Sequence, residues 1–581
     1  MSAHERSDDH DDLLDRARAW IAGDPDPATR EELQTLLDAG DRDALADRLD
    51  GTLEFGTAGL RGVVGAGPLR MNRAVVIRTS RGLADHLLAT LPDAKDRGVV
   101  VGFDARPDSR RFAADAVGVF GAAGLRVRWF PTPQPTPIVA YAQKVLDAAA
   151  AVVITASHNP PEYNGYKVYG EGAAQIAPPA DEAIAAAIDA VGPAAEVPRV
   201  DPLDSDLVAP VDAEVVERYL ADLVAARPPV EGPDLRIVYT PLHGVGAELV
   251  TRALADGGYH DVHVVPSQAE PDGAFPTVPF PNPEEPGALD AALELAAEVG
   301  ADLVLANDPD ADRIAVAVPD AARDGWRPLT GNQIGVLLAD HLLAGTDTDR
   351  PLVVASIVST PMFAEVARAY DARAEWTLTG FKWICAAARD LERSDGRTFV
   401  YGFEEALGSS VGTVVRDKDG IGAAVAIADI ARSLAGEGRT ILDKLAELYR
   451  RHGLWVSHQH SITRPGADGQ AEIAAAMAHL SDALPDALAG HAVVGSTDYR
   501  TGADQRPPWL TTHDLVLLEL EGGRALIRPS GTEPKCKIYV DLRAEVPEDR
   551  DLDDLAAELE AEAAAVARDL AAFVGLAEPS G

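Results

Sequence analysis

Two cysteines, Cys385 and Cys536, are all that 581 residues contain. Two thiols without metal-ligand neighbours exclude a disulfide framework and agree with a reducing compartment. No apolar run approaches the roughly 18 residues of a membrane-spanning helix. The opening MSAHERSDDHDD is polar and acidic, unlike a signal or transit peptide, so a soluble cytoplasmic protein is expected. No Walker A motif is present, which leaves nucleotide-driven phosphoryl transfer unsupported. Positive charge is scarce as well: 52 basic against 93 acidic residues give a formal charge of −41. Such a field repels nucleic acid and anionic membranes and leaves a small molecule as the expected partner. Lysine occurs eight times, and Lys167, Lys382, Lys418, Lys535 and Lys537 fall in stretches rich in Gly, Pro and Ser. An anionic substrate would need such local cations.

What is present centres on AVVITASHNPPEYNGYKVY, residues 151–169. Ala151–Ile154 reads as a short buried parallel strand, and Pro160-Pro161 forbids ladder or helix, so Thr155 to Asn164 is expected as a loop. Ser157 is then displayed toward solvent with His158 beside it and Lys167 ten residues on. A serine becomes a nucleophile or phosphate carrier when a base or cation supports it, and a plain surface turn is the competing reading.

The length predicts several domains. Apolar spacing between Asp11 and Leu49 reads as a helical N-terminal extension, domain 1–50. Phe55 to Gly62 is a Gly-dense loop holding Arg61, suited either to a linker or to an anion. Strands near Gly98–Phe103, Leu125–Phe130 and Ala148–Thr155 make a first α/β domain, 51–205. A second, 206–328, starts at Leu235–Thr240, contains His243-Gly244-Val245-Gly246, a weak fragment of a dinucleotide fingerprint, and ends with Asp302–Asn307. Its proline-rich stretch from Pro266 to Gly287 is too long for a compact domain unless it is functional. A third, 329–452, carries strands at Leu352–Val358 and Thr398–Tyr401. Three apolar strands thus each deliver a charged loop at the carboxyl end, where open α/β sheets bind ligands. The last part, 453–581, reads as α+β, with antiparallel strands at Asp514–Leu520, Ala525–Arg528 and Cys536–Leu542 and a closing helix over Leu552–Val574.

Asp308-Pro309-Asp310-Ala311-Asp312-Arg313 sets three carboxylates at alternate positions, which in extended backbone point the same way. Arg313 and Pro319 occupy the places where an EF-hand needs Gly and Glu, so a Ca²⁺ cage fails; Mg²⁺ held with a phosphoryl oxygen fits, and Arg313 could grip the same phosphate. The stretch from Ala525 to Lys535 offers Arg528, Ser530 and Thr532 as a phosphate clamp, with backbone amides near Gly531 and a flanking Lys535. Glu404 and Glu405 suit sugar hydroxyls or, as readily, a solvated helix start. Gly408-Ser409-Ser410-Val411-Gly412 matches a hydrolase elbow, but no apolar strand leads directly into it.

Taken together, TASHNPPEYNGYK, NDPDADR, GFEEALG and RPSGTEPK, in this order, resemble the α-D-phosphohexomutases, the phosphoglucomutase and phosphomannomutase superfamily. FGTAGLRG, YTPLHGVG, TLTGFK and VRDKDG are similar to the branch containing phosphopentomutase and phosphoglucomutase 2. The resemblance implies four domains around a central cleft, three α/β with mixed sheets and a C-terminal α+β one like the TATA-binding protein. It implies Ser157 as phosphoserine; Asp308, Asp310 and Asp312 with Ser157 as Mg²⁺ ligands; Glu404, Glu405 and Lys382 near the sugar; and Arg528, Ser530, Gly531, Thr532 and Lys535 at the non-reacting phosphate. Arg61, His158, Lys167 and Lys418 are implied near the transferring phosphoryl group, the last two as general acid/base candidates. A sugar bisphosphate is the implied activator, closure of the fourth domain the implied barrier to water, and a monomer or dimer the implied assembly. Where many glucose-specific relatives have Glu-Glu-Ser, this chain has Glu404-Glu405-Ala406, which removes a hydroxyl from the sugar loop. A phosphopentomutase, and more distantly a serine hydrolase or phosphatase, are the competing readings.

Overall fold

The computed structural model describes residues 5–54, 59–323, 325–530 and 535–577, without the side chains of 5–11 and 467. The chain forms two compact units: residues 1–227, 234–328 and 408–429 make the first, and 228–233, 329–407 and 430–581 the second.

The first unit opens with three helices, Glu5–Gly23, Pro27–Ala39 and Arg42–Leu49. Asp26 and Asp41 cap the latter two by accepting from Ala28 N and Ala44 N. Leu13, Ala17, Leu33, Leu45 and Leu49 form their buried seam. A six-stranded mixed sheet follows, ordered Leu60–Val63, Tyr163–Tyr169, Ala150–Ile154, Val99–Phe103, Val127–Trp129 and Val208–Pro210. The first two pairings are antiparallel and the rest parallel. Its parallel strands read as unbroken Val/Ile/Ala runs because helices cover both faces, and Ala150–Ile154 is wholly buried. Tyr163 already pairs with Val63, so the loop after Ala150–Ile154 ends before Asn164: the two prolines break the ladder, but nothing after Glu162 prevents pairing from resuming.

A second sheet is ordered Gly325–Pro328, Ala315–Asp320, Leu303–Ala306, Arg236–Thr240 and Asp261–Val264. Its last three strands are parallel and the other two antiparallel. Residues 408–429 bring a short strand, Gly408–Val411, and the start of the helix Gly420–Gly436 into this unit, where Gly408 bridges to Arg313.

The second unit contains a parallel ladder of Arg373–Thr377, Pro351–Ser356 and Thr398–Glu404. It also contains an antiparallel sheet ordered Leu454–Thr463, Lys535–Ala544, Gly523–Pro529, Val516–Leu520, His491–Asp498 and Ala487–Leu488, backed by the helix Leu552–Phe573. Ile357, Val358 and Leu378 from the parallel part pack with Tyr499, Leu515, Leu526 and Tyr539 from the antiparallel part. Among the described residues no helix is long and apolar enough to cross a membrane.

Candidate active site

In the first unit three strand ends converge chemically. Ala150–Ile154 delivers Ser157, whose φ of +54° is left-handed for a residue with a side chain. Its amide donates to Thr155 Oγ1 at 2.8 Å. The expectation of a solvent-facing hydroxyl is overturned: Ser157 is 2% exposed. The turn folds inward, and Oγ donates to Asp308 Oδ2 at 2.8 Å, with His158 Nδ1 at 3.3 Å.

Asp308, Asp310 and Asp312 follow Leu303–Ala306 and are fully buried, each with an oxygen within 4.8 Å of the others. They do not line an extended strand. Ala311, at φ +54°, turns the backbone, and its amide donates to Asp308 O at 2.9 Å. Lys167 Nζ, 2% exposed, donates to Asp310 Oδ2 at 2.7 Å and Asp312 Oδ2 at 2.9 Å. Lys418 Nζ lies 3.0 Å from Asp312 Oδ2. Thr136 Oγ1 donates to Asp310 Oδ2 at 2.7 Å. Burial and the neighbouring carboxylates push the Asp308 carboxyl well above its ordinary range. Burial acts the same way on Asp312, but Lys167, Lys418 and Arg313 outweigh it and hold that carboxyl below its ordinary value. Burial and the cations Arg313 and Arg61 keep His158 well below its usual pKa, hence neutral. Asp310 Oδ1 and Asp312 Oδ1 are buried without a hydrogen-bond partner among the described residues. Buried oxygens of that kind beside a third carboxylate fit a hard divalent cation, the Mg²⁺ that the resemblance implies.

Arg61 Nη1 donates to Asn159 Oδ1 at 2.9 Å, and Arg313 Nε lies 3.9 Å from Asp308 Oδ2. The structure thus brings Ser157, His158, Lys167, Arg61, Lys418, Arg313 and the three aspartates into one unit. Ser410 is buried too, its hydroxyl directed at the carbonyls of Gly412 and Val415, so the hydrolase elbow is an accident of spelling.

The second unit gathers the other candidates. Glu404 Oε1 accepts from Gly380 N at 2.7 Å, which fastens TLTGFK to the end of Thr398–Glu404. Glu405 Oε2 accepts from Ser356 Oγ at 2.9 Å and Ser359 Oγ at 3.2 Å, which ties it to the end of the neighbouring strand. Lys382, 9% exposed, lies 5.4 Å from the Trp383 ring. Arg528 Nη1 donates to Thr379 Oγ1, and Ser530 N donates to Lys535 O at 2.8 Å. Gly531 and Thr532 lie outside the described residues.

One group was missed from sequence and another was read for a different role. Arg106, 3% exposed, donates through Nη2 to Ser157 O at 2.8 Å and to Asn159 O. Its Nη1 reaches Pro160 O at 2.6 Å and Tyr163 O at 2.9 Å, and its Nε reaches Asp104 Oδ2 at 3.1 Å. One guanidinium therefore holds four carbonyls of the Ser157 turn. Its signal was Asp104-Ala-Arg106 at the end of the strand Val99–Phe103, the same strand-then-charged-loop pattern as the other motifs. YTPLHGVG, where the sequence offered a weak dinucleotide fragment, is packed on the aspartate loop: Val245 N donates to Pro309 O at 2.9 Å, and a Cβ on Gly244 would stand 2.4 Å from Pro309 Cα. The motif braces the aspartate loop.

Comparison with known proteins agrees with this geometry. The descriptions "Phosphoglucomutase/phosphomannomutase, alpha/beta/alpha domain" I, II and III match residues 52–194, 217–322 and 330–452, and "C-terminal domain" of the same family matches 472–562. A probable phosphomannomutase of Haemophilus influenzae is 42% identical, covering 83% of this chain and 95% of its own. A probable phosphoribomutase of Schizosaccharomyces pombe is 36% identical over 91% and 94%. The crystal structure of a putative phosphomannomutase from Thermus thermophilus covers 90% of this chain and 99% of its own, with a TM-score of 0.63 and 23% identity, a likeness of fold. With four matching domains and relatives of this identity, the chain belongs to the phosphoglucomutase/phosphomannomutase group, the α-D-phosphohexomutase superfamily, and is a phosphosugar mutase, an intramolecular phosphotransferase.

Proposed function

We propose that this mutase moves a phosphoryl group between the 1- and 6-positions of a hexose phosphate, glucose first and mannose second, through phosphorylated Ser157 and a sugar bisphosphate. The observation that carries the reading is the hydroxyl of Ser157 held 2.8 Å from a buried aspartate trio that also receives Lys167.

In the forward half-reaction the free sugar hydroxyl attacks the phosphorus on Ser157. The new O–P bond forms as the Oγ–P bond breaks, and the hydroxyl proton passes to a nearby base. Lys167 and Lys418 are the candidates: burial alone would lower their pKa values, but the aspartates outweigh it and keep both as ammonium. Either therefore gives its proton to Ser157 Oγ as that oxygen leaves phosphorus and takes the hydroxyl proton in return. Reversal, with the bisphosphate turned over, returns its other phosphate to Ser157. Arg61 and Arg313 bring guanidinium charge to the phosphoryl oxygens, and neutral His158 stands beside Oγ. Asp308, Asp310, Asp312 and Ser157 would hold Mg²⁺, which supplies charge neutralisation to the transferring group. In the second unit Glu404 is assigned to sugar hydroxyls and Arg528, Ser530, Gly531, Thr532 and Lys535 to the phosphate that does not react, with Lys382 nearby.

A pentose phosphate is the second reading. It is favoured by Ala406, which offers the sugar no hydroxyl, and by the likeness to a phosphoribomutase along 91% of the chain. Glucose 1-phosphate, mannose 1-phosphate and ribose 1-phosphate compared on one preparation decide the sugar; turnover of ribose 1-phosphate well above both hexoses overturns the hexose assignment. Peptide mass spectrometry should find phosphate on Ser157, and a Ser157→Ala protein that interconverts isomers at the parent rate ends the phosphoserine mechanism.

A further inference from the structure

The proline-rich segment 266–287 has no regular secondary structure, yet it is pinned throughout. Thr277 Oγ1 accepts from Gln268 Nε2 at 2.9 Å and faces His243 Nε2 at 2.8 Å. Asp272 N donates to His243 O at 2.9 Å, and Phe275 and Val278 pack on Leu242. Pro279 and Pro281 flank Phe280, so its backbone is restricted to extended conformations and the ring is delivered in one place. Asn282 N closes the turn onto Phe280 O at 2.8 Å.

This segment touches the Ser157 turn, the Arg106 that holds it, and Arg313 beside the aspartates. The Phe280 ring meets His158 edge-on, with centroids 6.1 Å apart and planes at 87°. Phe275 lies under the Arg106 guanidinium, 5.1 Å from its ring centre, and a Cβ on Gly273 would fall 2.4 Å from Arg106 Cα. Glu284 Oε2 lies 3.9 Å from Arg313 Nη1. A long loop wedged against a phosphate-carrying serine, presenting a phenyl ring to the histidine beside it, removes water from the neighbourhood of the phosphoester.

We propose that the segment 266–287 is a water shield for phosphorylated Ser157 and that Phe280 is its positioning residue, keeping the phosphoryl group for sugar rather than for hydrolysis. The inference rests on the phosphoserine reading above. In the reaction it suppresses, water oxygen bonds to phosphorus, the Ser157 Oγ–P bond breaks, and the water's protons end on Oγ and inorganic phosphate.

The test charges parent, Phe280→Ala, Phe280→Gln and Phe280→Leu proteins with glucose 1,6-bisphosphate, removes the excess, and follows Ser157 phosphate by intact mass and released inorganic phosphate. Both the Ala and Gln variants are expected to lose phosphate about tenfold faster than the parent and to require more bisphosphate for half-maximal mutase rate. Leucine, which keeps an apolar side chain over His158, should restore most of the lifetime. Charged Ala and Gln variants that keep their phosphate as long as the parent overturn the shield while leaving the mutase reading intact. A parent that never takes up phosphate on Ser157 sinks that reading and the shield with it.

Discussion

Ser157 holds a left-handed backbone that costs a side-chain-bearing residue roughly 1–2 kcal/mol, and the surrounding contacts must maintain it. Arg106 is the largest of them, because its four carbonyl contacts fix where Oγ stands. Arg106→Lys keeps the charge and loses the fork, so kcat should fall about 10²-fold while KM for the sugar phosphate changes little. Arg106→Ala strands the buried Asp104 carboxylate as well and should cost about 3–5 kcal/mol, visible as a lower urea midpoint. An Arg106→Lys protein with parental kcat would mean that the turn holds itself. The candidate groups that the structure gathers in the first unit were legible from their chemistry: a serine beside histidine, spaced aspartates, and lysines kept where lysine is rare. Arg106 was not, since its partners are backbone carbonyls from residues 51 to 57 positions away, and no side-chain pattern records them.

At the scale of elements, six of the ten left-handed residues other than glycine among the described residues lie in the motif loops or the segment 266–287: Ser157, Leu242, His243, Phe275, Ala311 and Leu407. Each loop is therefore held by its neighbours rather than by its own preference. Gly244 shows how tightly, and Gly244→Ala should push Pro309 and raise the Mg²⁺ needed for half-maximal activity about 10- to 100-fold. An unchanged Mg²⁺ requirement would show that the aspartate loop has slack. The helix Gly420–Gly436 begins on Asp419, whose Oδ1 accepts from Ile421 N at 3.0 Å, Gly422 N at 3.0 Å and Tyr219 OH at 2.9 Å. Burial raises this carboxyl from 3.8 to about 6. A raised acid favours the folded state most when protonated, so its contribution is complete at low pH and declines as pH rises through about 6. Asp419→Asn keeps the acceptor and removes the titration. The gap in unfolding midpoint between variant and parent should accordingly widen in the variant's favour from about pH 5 to pH 7.5, and a gap indifferent to pH refutes this. Apolar strands and the amphipathic closing helix were readable from periodicity. The strands Leu454–Thr463 and His491–Asp498 were not, because their exposed positions carry polar residues and their pairing partners are distant in sequence.

For the whole molecule, a charge of −41 makes self-repulsion a standing term. Raising NaCl from about 10 to 300 mM shortens the Debye length from roughly 30 to 6 Å and should lift the thermal midpoint by about 2–4 °C. Sodium sulfate at equal ionic strength separates screening from anion binding: equal shifts mean screening, and a midpoint that falls with either salt contradicts the repulsion argument. Composition alone made this visible. The division of the chain was less so, because linker-like sequence marked Glu196–Pro210, whereas the second unit takes up the chain at 228–233, 329–407 and 430–581.

That interleaving bears on how the protein is made. Tyr219 finds its acceptor at Asp419, Arg227 and Tyr259 find theirs at Asp429, and Lys144 reaches the carbonyl of Val414, so the first unit needs a stretch that synthesis reaches only after more than four hundred residues. A ribosome emitting this chain N-terminus first holds a unit whose sheets are complete but whose phenol and guanidinium groups still wait for partners, until those late residues leave the exit tunnel. Shortened genes that stop before residue 408 therefore cannot yield a complete first unit.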